Sequence, residues 1–227
     1  MASNFERSTP LLRDPVTADY IERLTHSVAQ NSDTRFPITV RIIDSEEVVA
    51  FTLPAGYQYI TRGLLLRTAN EGELVSVLAR GIAHTALRSA MREATKEAVA
   101  RIANTPLIFG PSDKNTPPSS STVRWLLKTK WEDEFDADYF GLQYLYKSGY
   151  DPECFLNFVQ TVWPADPSGK PAATALSQFP PLPERLKALQ DEISDVLPKR
   201  DGGVTNTPAF ADFHEHLLKL KPPKPEM

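Results

Sequence analysis

Apolar residues recur at helical spacing in several stretches of the chain. One stretch predicts an amphipathic helix over residues 14–31, with apolar positions at Val16, Tyr20, Ile21, Leu24 and Val28. Asn70 and Glu73 have the spacing of an N-terminal capping box, which predicts a second helix from there to about Ile102. The same periodicity predicts further helices over residues 123–146, 152–162 and 183–196.

Three shorter runs have the composition of β-strands. They are rich in β-branched and aromatic residues and cover residues 38–43, 48–53 and 57–61. Turn residues separate them, so they predict a small three-stranded sheet in a mainly helical α+β protein. We expect an N-terminal extension at 1–13, one main domain at 14–200 and a C-terminal segment at 201–227. The Pro-, Ser-, Asn- and Gly-rich composition of residues 104–121 predicts a loop, and residues 219–227 are predicted to form a frayed Pro-rich tail.

Composition excludes several classes of protein. The 227 residues are 41% hydrophobic and 24% charged, as in an ordinary globular domain. The formal net charge of -4 gives no basic footprint for nucleic acid, and no apolar run is long enough to span a membrane. The N-terminus lacks the apolar core of a signal peptide, so we expect a soluble protein, cytoplasmic as given, or periplasmic or secreted if a signal peptide has been removed.

Cysteine and histidine give few candidates for chemistry. The lone Cys154 excludes an internal disulfide and is predicted to be a small buried residue. His26 lies in an amphipathic helix and is predicted to be structural, whereas His214 and His216 are two residues apart near the C-terminus and are predicted to be surface residues. Taken alone, His84 would also be interpreted as a structural residue.

The surroundings of His84 change that interpretation. An ordered set of segments leads into its helix and follows it: residues 44–57, 61–64, 70–74, 134–142 and 148–152. This set, within a stretch from about Asp14 to Leu197, closely resembles the HtpX/BepA-like zinc metallopeptidases, the gluzincin family that includes the CAAX prenyl endopeptidases. The resemblance implies a zincin-like fold whose small sheet packs on the active-site helix.

The resemblance also implies a zinc site built from two helices. In that family an H-E-x-x-H helix supplies two histidine ligands and a glutamate general base, and a second helix supplies E-x-x-x-D. The positions that match are Arg80 for the first histidine, Gly81 for the glutamate and His84 for the second histidine. Glu134 matches the third ligand, and Asp138 matches the aspartate that supports it.

Three of these family positions carry side chains that cannot do the chemistry. Arg80 is permanently protonated and cannot bind zinc, and Gly81 has no carboxylate to accept a proton. Phe179 stands where the family commonly has a histidine beside the transition state, although Arg185 is retained. His84 and Glu134 are then the residual metal ligands, and two ligands rarely hold Zn²⁺ tightly, so zinc is expected to be absent or weakly bound.

Helical spacing gives a specific expectation for Arg80. Arg80 and His84 are four residues apart and therefore share one face of the helix. If the fold is kept, the guanidinium points into the vacated metal site, where it would compensate the buried Glu134. We therefore predict an ion pair between Arg80 and Glu134, with Asp138 joining it.

Three functional interpretations follow. The first is a pseudo-peptidase that keeps the family cleft and its edge strand near residues 50–53, and binds an extended polypeptide or a protein partner there. The second is an active zinc endopeptidase with a rebuilt site, in which Glu132 or Asp136 supplies a ligand. The third, an enzyme inactivated by engineering, ranks last because Phe179 would need a separate explanation.

Overall fold

The computed structural model describes residues 5–7, 9–53, 55–101, 131–162, 182–200 and 202–220. The predicted loop at 104–121, the first residues of the helix predicted at 123–146, and Phe179 all lie outside this part of the chain.

The first and third helices begin at caps that the sequence encodes. Helix α1 runs Pro15–Gln30, and the Asp14 carboxylate accepts a hydrogen bond of 2.8 Å from the backbone N–H of Thr17. A short helix, α2, spans Arg62–Arg67, and the long helix α3 spans Glu71–Arg101. The predicted capping box precedes α3, because the Asn70 side chain accepts from the backbone N–H of Glu73 at 2.9 Å.

The sheet has the three predicted strands. They are β1 (Thr39–Ile43), β2 (Ala50–Leu53) and β3 (Tyr57–Thr61), in the order β1-β3-β2. The central strand β3 is parallel to β1 and antiparallel to β2. One face of the sheet joins the main core with α1 and α3. A smaller cluster covers the other face and contains Phe5, Leu11, Ile43, Phe51, Leu53, Tyr57 and Tyr59.

Four more helices complete the described chain. They are α4 (Trp131–Lys147), α5 (Glu153–Val162), α6 (Leu182–Asp191) and α7 (Pro208–Lys219), and a π-helical turn at Glu192–Val196 extends α6. The α+β architecture with a mainly helical content is therefore confirmed, while α2 and α7 were not predicted. No helix in these ranges is long and apolar enough to cross a membrane.

Helices α3 and α4 approach each other closely at a glycine. A Cβ atom added to Gly141 on α4 would lie 3.0 Å from the Cα atom of Arg80 and 3.1 Å from the Phe155 ring. The missing side chain thus lets the two backbones pack almost in contact. Glu134 and Asp138 lie seven and three residues before Gly141, on the same face of α4, so this contact brings both carboxylates up to α3.

Residues 202–220 of the C-terminal segment pack on the rest of the described chain. The N–H of Gly72 donates to the carbonyl of Thr205 at 2.9 Å, and Val204 forms a bridge with Tyr150. The buried Glu71 carboxylate at the start of α3 accepts hydrogen bonds from the hydroxyls of Tyr20, Tyr150 and Thr207. Residues 202–220 are therefore held by the first turn of the long helix.

Helix α7 changes the interpretation of two histidines. His214 and His216 were predicted to be surface residues, but both are half-buried because α7 packs on α1. The His216 Nε2 atom lies 2.8 Å from Asp14 Oδ2, and the His214 Nε2 atom lies 3.3 Å from the carbonyl of Leu66. Lys219, predicted to be frayed, ends α7 and pairs with Glu215.

Two other predictions concern isolated residues. Cys154 is 2% exposed, and burial raises the pKa of its thiol to about 12, so it is the small buried residue expected. His26 is exposed on α1, and its ring contacts the side-chain amide of Gln30 at 2.9 Å. Its predicted structural role is thus limited to a contact within its own helix.

Candidate functional site

Two helices present the candidate residues to each other. Arg80 and His84 are one turn apart on α3, and Glu134 and Asp138 are one turn apart on α4. Both carboxylate residues are 2% exposed and His84 is 9% exposed, so the site is nearly closed to solvent. The structure therefore brings together four of the residues that the sequence singled out.

The predicted ion pair of Arg80 is present. Its Nη2 atom donates to Glu134 Oε2, and its Nε atom donates to Asp138 Oδ1 at 2.8 Å. The guanidinium thus spans both carboxylates of α4. Charge-assisted hydrogen bonds of this kind are stronger than those between neutral groups, and a guanidinium fits carboxylate geometry well.

A second arginine reaches the same aspartate from α6. The Nε atom of Arg185 donates to Asp138 Oδ2 at 2.7 Å, and its Nη2 atom donates to Asp138 Oδ1 at 2.8 Å. Arg185 is 1% exposed. Two arginines and two carboxylates then balance in formal charge without any metal ion, which satisfies the requirement that buried charges be paired.

The electrostatics of these groups follow from that pairing. Burial opposes the ionised form of Asp138, but the charges of Arg185 and Arg80 outweigh it and hold the pKa of Asp138 below its ordinary value. Burial likewise opposes the charge on Arg80, while Glu134 and Asp138 outweigh it and raise the pKa of Arg80 further. Asp138 and Arg80 are therefore both ionised across the physiological pH range.

The donor set does not fit a zinc ion. His84 Nε2 lies 3.8 Å from Glu134 Oε2, so the two residual ligands are close together. That same oxygen is the one that Arg80 binds, and the cation therefore lies where a metal would bind Glu134. Within the described ranges no group of three or more His, Cys, Asp or Glu residues could hold a metal ion. A catalytic zinc site takes three such protein ligands plus water, and the described residues offer two here.

Gly81 faces the central strand of the sheet. A Cβ atom added there would collide with the side-chain amide of Gln58 on β3, which is 2% exposed. The Gln58 Nε2 atom donates to the carbonyl of Val77 on α3 at 3.0 Å. Sequence reasoning missed Gln58, because a polar residue between two tyrosines in an alternating strand is normally interpreted as facing solvent.

Other candidates do not reach the site or are not described. Asp136 is exposed on α4 and turns away from Glu134. The side chain of Glu132 and all of Phe179 lie outside the described residues. Cys154 is not part of the candidate site either, because it packs against Gly72 near the start of α3.

Comparison with known proteins agrees with the resemblance read from the motifs. The family model described as peptidase family M48 matches residues 15–193. A putative beta-barrel assembly-enhancing protease of Vibrio cholerae is 31% identical over 77% of this chain and 38% of its own length. The beta-barrel assembly-enhancing proteases of Yersinia pestis and Escherichia coli K12 are 29% and 26% identical, each over 84% of this chain and 42% of its own length. The chain therefore spans about two fifths of the length of these relatives.

Proposed function

The chain belongs to peptidase family M48, a family of zinc-dependent metallopeptidases, and we propose that it is a catalytically impaired member of that family. In this proposal it is a pseudo-peptidase that binds an extended polypeptide or a protein partner in the cleft of the family fold. The observation that carries the proposal is the guanidinium of Arg80, bound to Glu134 and Asp138 in the place of the metal.

Side-chain chemistry supports the loss of hydrolysis. Arg80 supplies no lone pair to zinc, and Gly81 supplies no general base. Loss of a general base alone costs a factor of about 10²–10⁴ in rate. The two defects compound each other, because the metal that would activate water is also poorly held at His84 and Glu134.

Polypeptide binding is supported by the edge of the sheet. Strand β2 is an edge strand, and no other strand of the described chain pairs with its outer side. Exposed strand edges accept an extended polypeptide by adding it to the sheet. Val48 and Val49, which lead into β2, are 39% and 40% exposed and offer apolar contacts beside that edge. The curated relatives are named for enhancing β-barrel assembly, and from them we extend to this chain only the coarser role of binding polypeptide.

The alternative is an active zinc endopeptidase with a rebuilt site. It would require another residue to replace the ligand lost at position 80 and to displace Arg80 from Glu134. Asp136 does not support this alternative, because it is exposed on another face of α4. Glu132 is the remaining candidate on that helix.

Metal content and proteolysis together test the impairment. The full chain, purified without chelator, is analysed for zinc and incubated with casein, with and without EDTA. We expect far less than one zinc per chain and no cleavage that EDTA abolishes. Stoichiometric zinc together with EDTA-sensitive cleavage would establish the active alternative and overturn the proposal.

Binding is tested separately with a labelled, permanently unfolded casein fragment. Replacing both Val48 and Val49 by glutamate should weaken its binding without changing the thermal unfolding temperature. A matched control is Val196→Glu, which changes a valine that is 55% exposed in the π-helical turn after α6. Equal affinity in the edge variant and in the control would exclude β2 as the binding edge.

A further inference from the structure

We propose that Gln58 seals the former catalytic position, so that Gln58 must change together with Arg80 and Gly81 before the peptidase site can be rebuilt. The inference rests on the proposed function, since it concerns how the impaired state is maintained. Gln58 lies on the sheet, and Arg80 and Gly81 lie on α3. Together these three residues occupy the space of the catalytic machinery expected from the family.

Steric contact is the first step. The atoms that a Cβ at position 81 would meet first all belong to the Gln58 carboxamide, namely its Nε2, Cδ and Oε1 atoms. Any side chain at position 81 begins with a Cβ, so a glutamate there requires Gln58 to move. Gln58 therefore occupies the space that a side chain at position 81 would need, and this accounts for the glycine there.

The Gln58 amide is held in that position. It lies on the central strand with both faces of the sheet covered, and its Nε2 atom is bonded to the carbonyl of Val77, one turn before Gly81. A flexible side chain normally swings away from a clash, but Gln58 is 2% exposed and would lose its acceptor on α3. The amide thus bridges β3 and α3 at the catalytic position.

Gly81 and Gln58 are each unfavourable in their own secondary structure, and their contact accounts for both. Glycine is a poor residue for the interior of a helix, and a glutamine buried in a central strand is a poor residue for a core. The Oε1 atom of Gln58 is buried and accepts no hydrogen bond from any described residue. Such departures from local preference are typical of functional or altered sites, and here they meet at one contact.

A double-mutant cycle on the full chain tests the contact through thermal unfolding. Gly81→Ala should lower Tm in the natural background, because the methyl group meets Gln58. After Gln58→Ala the same change should raise Tm, because alanine favours the helix and the space is free. Gln58→Leu is the matched control, since leucine still fills the space, and Gly81→Ala should lower Tm there too. The same shift in all three backgrounds would overturn the proposal.

Zinc titration provides the second test. Zn²⁺ is titrated into the Arg80→His, Gly81→Glu variant and into the same variant carrying Gln58→Ala, in competition with a chromogenic chelator. We expect roughly tenfold tighter binding when Gln58 is also replaced, because the clash of the position-81 side chain with Gln58 would otherwise displace the helical turn that carries the histidine ligands at positions 80 and 84. Equal affinities would contradict the sealing role. The proposed function is tested independently by the zinc and casein measurements on the unchanged chain. A failure of the sealing proposal would appear instead as a double-mutant cycle in which the two Tm changes are simply additive.

Discussion

Arg185 and Asp138 form a buried two-pronged ion pair that ties α6 to α4. Two nitrogen atoms of Arg185 donate to the two oxygens of Asp138, at 2.7 and 2.8 Å, and Arg80 donates to the same carboxylate from α3. Three helices thus meet at one aspartate. This aspartate therefore accepts hydrogen bonds from two cations, and its buried charge is compensated by two arginines.

Arg185→Ala should lower the free energy of unfolding by about 3 kcal/mol, the lower end for breaking a buried ion pair, because Arg80 still compensates Asp138. Urea denaturation measures this value. The control is Lys187→Ala, an exposed change on the same helix that should stay within about 0.5 kcal/mol of the unchanged protein. If Arg185→Ala lowered the free energy of unfolding no more than Lys187→Ala does, the Arg185–Asp138 ion pair would contribute nothing to stability.

Asp138 should also give the protein an acid-sensitive stability. Its pKa in the folded protein is lowered, so its ionised form contributes stability that is fully present above the unfolded pKa of about 3.9. That stability is lost as the pH falls through the lower folded pKa. Urea midpoints measured from about pH 6 down to pH 2 should therefore fall less steeply in Asp138→Asn than in the unchanged protein. The exposed Asp136→Asn serves as the control. Identical acid slopes in all three proteins would refute the assignment.

Arg80 adds no pH dependence in the neutral range. Its pKa is raised above its already strongly basic ordinary value, so the stability that its charge contributes is fully present at neutral pH and is lost only in strong alkali. The pH dependence of stability below neutral pH is therefore the measurement that tests the charges of Arg80 and Asp138.

Local signals explain why much of the fold could be predicted. The capping box at Asn70 and the period of two in β3 depend on neighbouring residues, and both elements form where expected. Helix α7 has comparable signals that were not used: Thr207 and Pro208 at its start, and Phe210, Phe213 and Leu217 at helical spacing on its buried face. Helix α2 has only six residues, too few to show a period.

The site was partly predictable for a different reason. The Arg80–Glu134 pair followed from one helical turn between Arg80 and His84 and from the resemblance, which placed Glu134 opposite them. Gln58 could not be found in this way. Its strand alternates, and only the tertiary structure, with helices on one face and an aromatic cluster on the other, turns that polar position into the interior.

The thiol of Cys154 should be unreactive in the folded protein. Burial raises its pKa to about 12, so almost no thiolate exists at neutral pH. The thiol reagent DTNB should release no colour from the native protein at pH 8, and one equivalent per chain after denaturation in guanidinium. Rapid reaction of the native protein would show that α5 opens locally near the start of α3.

Gly141→Ala tests the close contact between α3 and α4, the two helices that carry the candidate site. The added methyl group would meet backbone atoms of Arg80 at 3.0 and 3.2 Å, and backbone cannot swing aside as a side chain can. We expect a loss of about 1–3 kcal/mol in the free energy of unfolding, typical of an overfilled core, even though alanine is the better helix former. Lys147→Ala, an exposed change at the end of α4, is the control and should stay within about 0.5 kcal/mol. Separating α3 from α4 also draws Arg80 away from Asp138, so the acid slope assigned to that carboxylate should become shallower. A Gly141→Ala protein of unchanged stability and acid slope would show that the helices do not need this contact.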